Sequence, residues 1–210
     1  MSTENKVSVP DRLAKITTIV FHPLFMPLYG LVILFSAPTF LGYLPFPIKR
    51  ILFIIVLINN VLIPLMLLPF FRYRNVISSY KIEERSERII PLLTTSILYC
   101  TTSFIVLRFE VPFLIKSFFL ATSIMAVVVT FINFWWKISV HAVGAGALAA
   151  VVFVLSIKMY TPLTWYLGVV ILAGGLVLSS RLRLNFHNPA QVWVGYLTGL
   201  VGLGLFIALF

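Results

Sequence analysis

Along this chain, long apolar runs are broken at only a few polar places. Apolar stretches of about 17 to 25 residues are long enough to cross the hydrocarbon of a bilayer as helices. Runs of this kind occupy residues 23–41, 51–71, 89–107, 113–136, 140–157, 163–179 and 189–210. Pro23 and Pro27 disturb the first, and the sixth is the shortest, so the pattern predicts six or seven spans. The expected fold class is all-α, a polytopic transmembrane helix bundle. Residues 1–8 are expected to form a disordered tail and 10–21 an interfacial helix, so that 1–22 lead into a single membrane domain over 23–210. Lys6, Arg12 and Lys15 precede a run broken by prolines, with no small-residue cleavage site, which is not the pattern of a cleavable signal.

The polar interruptions are concentrated in three places. The longest is RYRNVISSYKIEERSERIIP, residues 72–91, in which Lys81, Arg85 and Arg88 fall at i, i+4 and i+7 and are expected to share a helix face. The second is WKISVHAVGAGA, residues 136–147, and the third SRLRLNFHNPAQ, residues 180–191. Two apolar runs separate the first interruption from the second, and two separate the second from the third. An even number of crossings returns a chain to the side it left. All three patches therefore share one membrane face, whatever the total number of spans.

Composition sharpens the class. Hydrophobic residues make up 60% and charged residues only 10%, with a mean hydropathy of +1.06, whereas soluble domains carry about a quarter charged residues. Sixteen Lys and Arg against six Asp and Glu give a net charge of +10. In a membrane protein that excess reflects the positive-inside bias or an anionic ligand, and nucleic acid is not an expected partner. Cys100, the only cysteine, lies inside an apolar run, so no internal disulfide can form.

The shared face pools Lys81, Arg85, Arg88, Ser139, His141, Arg181, Arg183, Asn185 and His187. Arginine forks suit oxyanions, and charge-assisted bonds to phosphate are strong. Two helix starts are expected there, one with Ser139 capping the run from Val140 and one at Asn188-Pro189. Their free N–H groups favour anions. Two histidines beside a phosphate suit a nucleophile and an acid. Without a neighbouring Asp, Glu or Cys, and among cations, they make a poor divalent-metal site, so neither metal nor other cofactor is expected.

These residues resemble the three signatures of the type 2 phosphatidic acid phosphatase family, integral-membrane lipid phosphatases related to vanadium haloperoxidases. KIEERSER keeps Lys81 and Arg88 at the family spacing, with the proline late at Pro91. ISVH keeps Ser139 and His141, with Val140 where the family has glycine. SRLRLNFHNPAQ keeps Ser180, Arg181 and His187, with Gln191 in place of an aspartate. The resemblance covers residues 81–199. It implies that His187 is the nucleophile forming a phosphohistidine and His141 the acid. Lys81, Arg88, Ser139 and Arg181 would cradle the phosphate, and Gln191 would be the orienting residue. The implied partners are the bilayer and a phosphorylated lipid, such as phosphatidic acid, phosphatidylglycerol phosphate or a polyprenyl diphosphate. The implied location is the inner membrane of a bacterium.

Plainer readings compete. Gln191 is the third residue after the Asn188 cap, where glutamine reaches back to bond the backbone. Gly144, Gly146, Ala149 and Ala150 suit close helix packing. Arg72, Arg74 and Arg85 read as solvated loop charges, Arg183 and Asn185 as interfacial, His22 as interfacial, and Trp135, Trp136, Trp165 and Trp193 as interface anchors. A relative that binds or moves a phosphorylated lipid without hydrolysing it is the alternative function. Ion-coupled transport is disfavoured because no ionisable residue falls near a span centre. With seven spans, eleven of the sixteen basic residues lie on the motif side, which favours the cytoplasm. The family resemblance implies the outer face instead, and both sides stay open.

Overall fold

The computed structural model of the chain describes residues 8–80, 82 and 84–209. Residues 1–7 of the expected tail at 1–8 lie outside the described residues, as does Lys81, whereas Ser8 is ordered as the cap of the first helix, because its hydroxyl accepts from the Asp11 amide. Eight helical elements follow one another, and no strand occurs among the described residues. They are α1 (Val9–Val20), α2 (Met26–Ser36), α3 (Phe46–Tyr73), α4 (Ser86–Leu107), α5 (Phe113–Asn133), α6 (Val140–Lys158), α7 (Thr164–Arg183) and α8 (Pro189–Leu209). Six of them, α3 to α8, are long and apolar enough to cross a membrane, and α1 with α2 forms a bent pair that makes a possible seventh span. The protein is an all-α, multi-pass membrane protein.

The first crossing differs from the expected run at 23–41. α1 and the helical segment Pro23–Ser36 meet at a 41° bend. His22 and Pro23 cause the break: the histidine Nδ1 accepts from the Leu24 amide at 3.3 Å, and proline occupies the first position of the new turn. The helix ends at Ser36 because Ala37, which precedes Pro38, takes an extended conformation. Asp11 at the start of α1 pairs with Arg183 at the end of α7, while Phe21 packs on the buried cluster of Ala142, Ala145, Val177, Leu178 and Val192. The helix expected at 10–21 thus runs along α7. Its exposed residues Val9, Leu13, Ile16 and Val20 form an apolar stripe on the outside.

α3 carries Pro64 and Pro69, neither of which can donate to a helical ladder. A π-helical segment at Leu57–Leu62 precedes Pro64 and accommodates the missing bond without ending the helix. Asn60 in that segment is buried, and it accepts from Thr102 Oγ1 of α4 at 2.6 Å. Ser96 of α4 and Thr130 of α5 share a second buried bond at 2.8 Å. Such bonds join helices in an environment that supplies no competing water.

α6 is the hub, packed by α2, α7 and α8, and it has the largest buried share of the spans. Its small residues allow this. A side chain at Gly146 would run into the Tyr196 carbonyl of α8, and one at Gly199 of α8 would run into the Val143 carbonyl of α6. The two backbones touch at both places, and the π-helical segment Thr198–Leu203 carries Gly199 into that contact.

Replacing Gly146 or Gly199 by alanine should therefore destabilise the protein by about 1–3 kcal/mol, the usual range for overpacking. Gly168 and Gly175 of α7 face open space, so alanine there should be neutral or stabilising by about 0.5–1 kcal/mol. Thermal unfolding in detergent followed by tryptophan fluorescence distinguishes the pairs. Equal shifts at all four positions would show that the α6–α8 approach is not what holds the bundle.

Candidate functional site

The site forms where the end of α7 and the starts of α4, α6 and α8 meet. After Arg183 the chain turns through Asn185, which adopts a left-handed conformation with φ 53 that asparagine tolerates better than most residues. Phe186 and His187 follow, and then Asn188 caps α8. The Asn188 side chain accepts from the Gln191 amide at 2.9 Å, and Gln191 Oε1 accepts from the Asn188 amide at 3.2 Å. This is a complete capping box.

The same Gln191 Oε1 lies 3.0 Å from His187 Nδ1. A carbonyl oxygen can only accept, so Nδ1 carries the hydrogen, and a neutral His187 presents an unprotonated Nε2. Capping and orienting had been alternative readings of Gln191. One oxygen with two lone pairs performs both.

Ser139 stands in the N-cap position of α6 but does not cap it with its side chain, contrary to expectation. Ser8 and Asn188, which do cap their helices, have ψ of 150 and 165, whereas Ser139 has ψ 99. Its backbone is held differently: the Ser139 amide donates to the Gln191 carbonyl at 3.2 Å, and Gly195 sits against the Ser139 carbonyl. The hydroxyl is fully buried and has no hydrogen-bond partner. Arg181 is also buried, with its guanidinium carbon 4.3 Å from the Phe186 ring centre and its Nε without a partner. Two buried donors thus stand without partners, Arg181 near enough for its charge to act on His187, and Ser139 on a residue whose amide is bound to Gln191.

The first polar patch is not the expected helix. No described residue from Arg74 to Arg85 is helical, and Asn75 and Ile82 have φ of 57 and 47. A left-handed isoleucine is incompatible with continuing a right-handed helix, so no helix runs from Ile82 to Arg88, and Lys81 itself lies outside the described residues. Arg85 and Arg88 act separately. Arg85 Nη1 donates to the Phe134 carbonyl at 2.8 Å, and Asn133 Nδ2 donates to the Arg85 carbonyl at 3.3 Å, which ties the loop to the end of α5. Arg88 Nε donates to the Ile82 carbonyl at 3.0 Å, and the side chain is half-buried near His187 and Arg181.

Burial holds His187 well below the ordinary histidine range, at about 4, and the charges of Arg88 and Arg181 reinforce this. The Gln191 bond acts in the opposite direction, and Lys137 adds a further lowering influence. Arg88, Lys137 and Arg181 come from the three separate polar patches, so all three patches converge on this one imidazole. At neutral pH the ring is uncharged.

His141 is the second residue of α6, and its Nε2 donates to the Thr18 carbonyl of α1 at 3.2 Å. His22 stands edge-on to it with ring centres 5.4 Å apart. Sequence reasoning had left His22 at the interface. The signal available was the His-Pro pair that breaks the first span, since such a break brings its residues back against a neighbouring helix end. Arg183 is engaged by Asp11 at 2.7 Å in a largely exposed pair, outside the cluster. Among the described residues, no three His, Cys, Asp or Glu side chains are placed to hold a metal ion together. Glu87 accepts from the Ser78 amide through Oε1. Comparison of the chain with protein-family models, curated proteins and solved structures gives no match.

His187 takes up a proton in the unfolded chain near pH 6.5 but in the fold only near 4. Between those values the unfolded state binds more protons, so stability contributed above pH 6.5 is lost as pH falls toward 4. The loss should reach about 3 kcal/mol. Thermal unfolding from pH 7.5 to 4.5 should show a steeper decline for the parent than for His187→Gln. Parallel curves would mean that the ring is not held neutral.

Proposed function

We propose that the chain is a metal-independent phosphatase of a phosphorylated membrane lipid that works through a phosphohistidine on His187. The observation that carries the reading is the Gln191 bond to His187 Nδ1, which leaves the lone pair on Nε2 of a ring that feels the charges of Arg88 and Arg181. The resemblance to type 2 phosphatidic acid phosphatases supports the same roles. A phosphate among Arg88, Arg181, Ser139 Oγ and the first free amides of α6 would meet charge-assisted donors on several sides. Lys81 joins them by the resemblance alone.

In this reading Nε2 of His187 attacks phosphorus in line, and the bond from phosphorus to the lipid oxygen breaks. The departing oxygen takes a proton from His141. Because His141 Nε2 donates to the Thr18 carbonyl, the proton it gives to the leaving oxygen must first be taken up on Nδ1, from the substrate's own phosphate or from water. Water deprotonated by His141 then attacks phosphorus, the P–N bond breaks, and phosphate and neutral His187 are regenerated. Gln191 fixes the tautomer but supplies no negative charge to the phosphohistidine. That absence favours a slower enzyme, and it also favours the second reading, a site that holds a lipid phosphate without cleaving it. Substrates in keeping with the site are phosphatidic acid, phosphatidylglycerol phosphate and polyprenyl diphosphates, in the inner membrane of a bacterium.

The test is release of free phosphate from these lipids by purified protein in detergent, with EDTA present. We expect release that survives EDTA and disappears in His187→Ala, whereas Arg181→Ala should raise KM as well as lower turnover. Gln191→Asp should increase turnover several-fold if the oriented histidine limits the rate. Lipid phosphate that binds to folded protein but is never hydrolysed would replace the phosphatase with the binding reading.

A further inference from the structure

The bend between α1 and α2 brings to His141 a set of groups that lies outside all three polar patches. Pro23 starts it: the residue before a proline is pushed out of the helical region, and His22 accordingly has ψ 139. The His22 side chain then caps the next turn, with Nδ1 accepting from the Leu24 amide at 3.3 Å.

The break changes what the end of α1 presents. The last four carbonyls of a helix lack partners within it, and here each finds a different one. Thr17 accepts from the Phe21 amide at 2.9 Å, Ile19 from the His22 amide at 3.3 Å and Val20 from the Tyr29 hydroxyl at 2.7 Å. In a continuing helix the His22 amide would bond the Thr18 carbonyl. That amide is drawn to Ile19, and the Thr18 carbonyl receives His141 Nε2–H instead, at 3.2 Å. Beyond the break, a side chain at Gly144 would run into Met26. His141 and Gly144 are three residues apart and share a face of α6, so Thr18 from one side of the break and Met26 from the other hold the first turn of that helix.

The consequence for His141 follows from its protons. Nε2 is committed to a carbonyl, so Nδ1 is the nitrogen that gains and loses a proton. Among the described residues, the charged and titratable groups acting on the ring are Arg181 on α7, His22 in the bend and His187 before α8, with no carboxylate. When His141 is charged, the end of α1 takes the place of a carboxylate: a bound carbonyl and the negative end of the helix dipole both favour an imidazolium. His22 is not a proton relay. The Leu24 amide occupies its Nδ1, so its neutral ring cannot take up a proton without giving up the cap.

We infer that the His22–Pro23 bend is the positioning element of His141, with the His22 cap holding the end of α1 so that the Thr18 carbonyl selects the tautomer and orientation of that ring. The effect on turnover rests on the phosphatase reading, whereas the tautomer does not.

The chain has three histidines, so the full-length protein carrying 15N-labelled histidine gives a ring-nitrogen NMR spectrum simple enough to assign in detergent, with His187→Gln and His22→Asn identifying two of the rings. Near neutral pH the parent should show His141 with its proton on Nε2 and His187 with its proton on Nδ1, opposite tautomers. Pro23→Ala lets α1 run on through His22, and His22→Ala removes the cap; either should leave His141 exchanging between tautomers. His22→Asn should restore the parent tautomer, because asparagine caps a helix start well. A His141 that keeps Nε2–H in whichever of Pro23→Ala and His22→Ala is folded by thermal unfolding overturns the inference. So does a His22→Asn spectrum like that of His22→Ala, since the ring and not the cap would then be what matters.

Turnover on a lipid phosphate gives the second arm. Pro23→Ala and His22→Ala should lose about 100-fold in kcat, the lower end of what a positioned general acid contributes. KM should change little, because the Arg88 and Arg181 side chains are untouched, and His22→Asn should recover most of the loss. A raised KM with kcat unchanged would make the bend a substrate contact and overturn the positioning role. The expected tautomers in a parent protein that hydrolyses no lipid would remove the phosphatase and leave the control of His141 by the bend standing.

Discussion

The backbone contact between α6 and α8 determines how the site is assembled. Helices normally lie 8–10 Å apart, separated by their side chains. Gly146 and Gly199 remove that separation at two points, where each faces a carbonyl of the other helix. The starts of both helices are consequently close enough for the Ser139 amide to reach the Gln191 carbonyl, with Gly195 fitted against Ser139. His187 immediately precedes the capping residue of α8, and His141 is the second residue of α6. Their mutual position is thus set by main-chain contacts, which are stiffer than any arrangement of flexible side chains.

Electrostatics then gives the site its character. The chain carries ten more basic than acidic residues. Asp11 is engaged by Arg183 at the rim, and among the described residues no carboxylate forms an ion pair with Arg181. Arg181 is left buried, stacked on Phe186, with one donor unused. A buried guanidinium without a counter-charge is costly, and an anionic ligand offsets that cost. Burial, reinforced by the same cations, keeps His187 neutral, and neutrality is the condition for its Nε2 to have a lone pair. Gln191 completes the arrangement by receiving two N–H groups on one oxygen, so helix capping and tautomer selection depend on one side chain.

The spans were legible because apolar length is a local property, and the six long helices lie on the predicted runs with ends shifted by a few residues. Two readings failed where local pattern was a poor guide. The spacing of Lys81, Arg85 and Arg88 fits a helix, yet charge spacing alone does not stabilise one, and Ile82 turns left-handed instead. Ser139 has the residue type of a cap, but its ψ is set by the bond to Gln191, 52 residues away in sequence. His22 looked peripheral because its neighbour His141 is over a hundred residues distant, reached only through the bend after α1.

Taken alone, the sequence determined that the chain is a multi-pass helical membrane protein, and that its three polar patches lie on one face. Both follow from hydrocarbon thickness and the parity of crossings, which require no knowledge of contacts. It also determined which charged and polar side chains that face would hold. Only the tertiary structure decided which of them meet. Convergence of Arg88, Lys137 and Arg181 on His187, the tautomer of that ring, and the tie between His141 and Thr18 all depend on how closely helices remote in sequence can pack. That closeness is set by the glycines on opposing helices, whose effect appears only when the two surfaces are brought together.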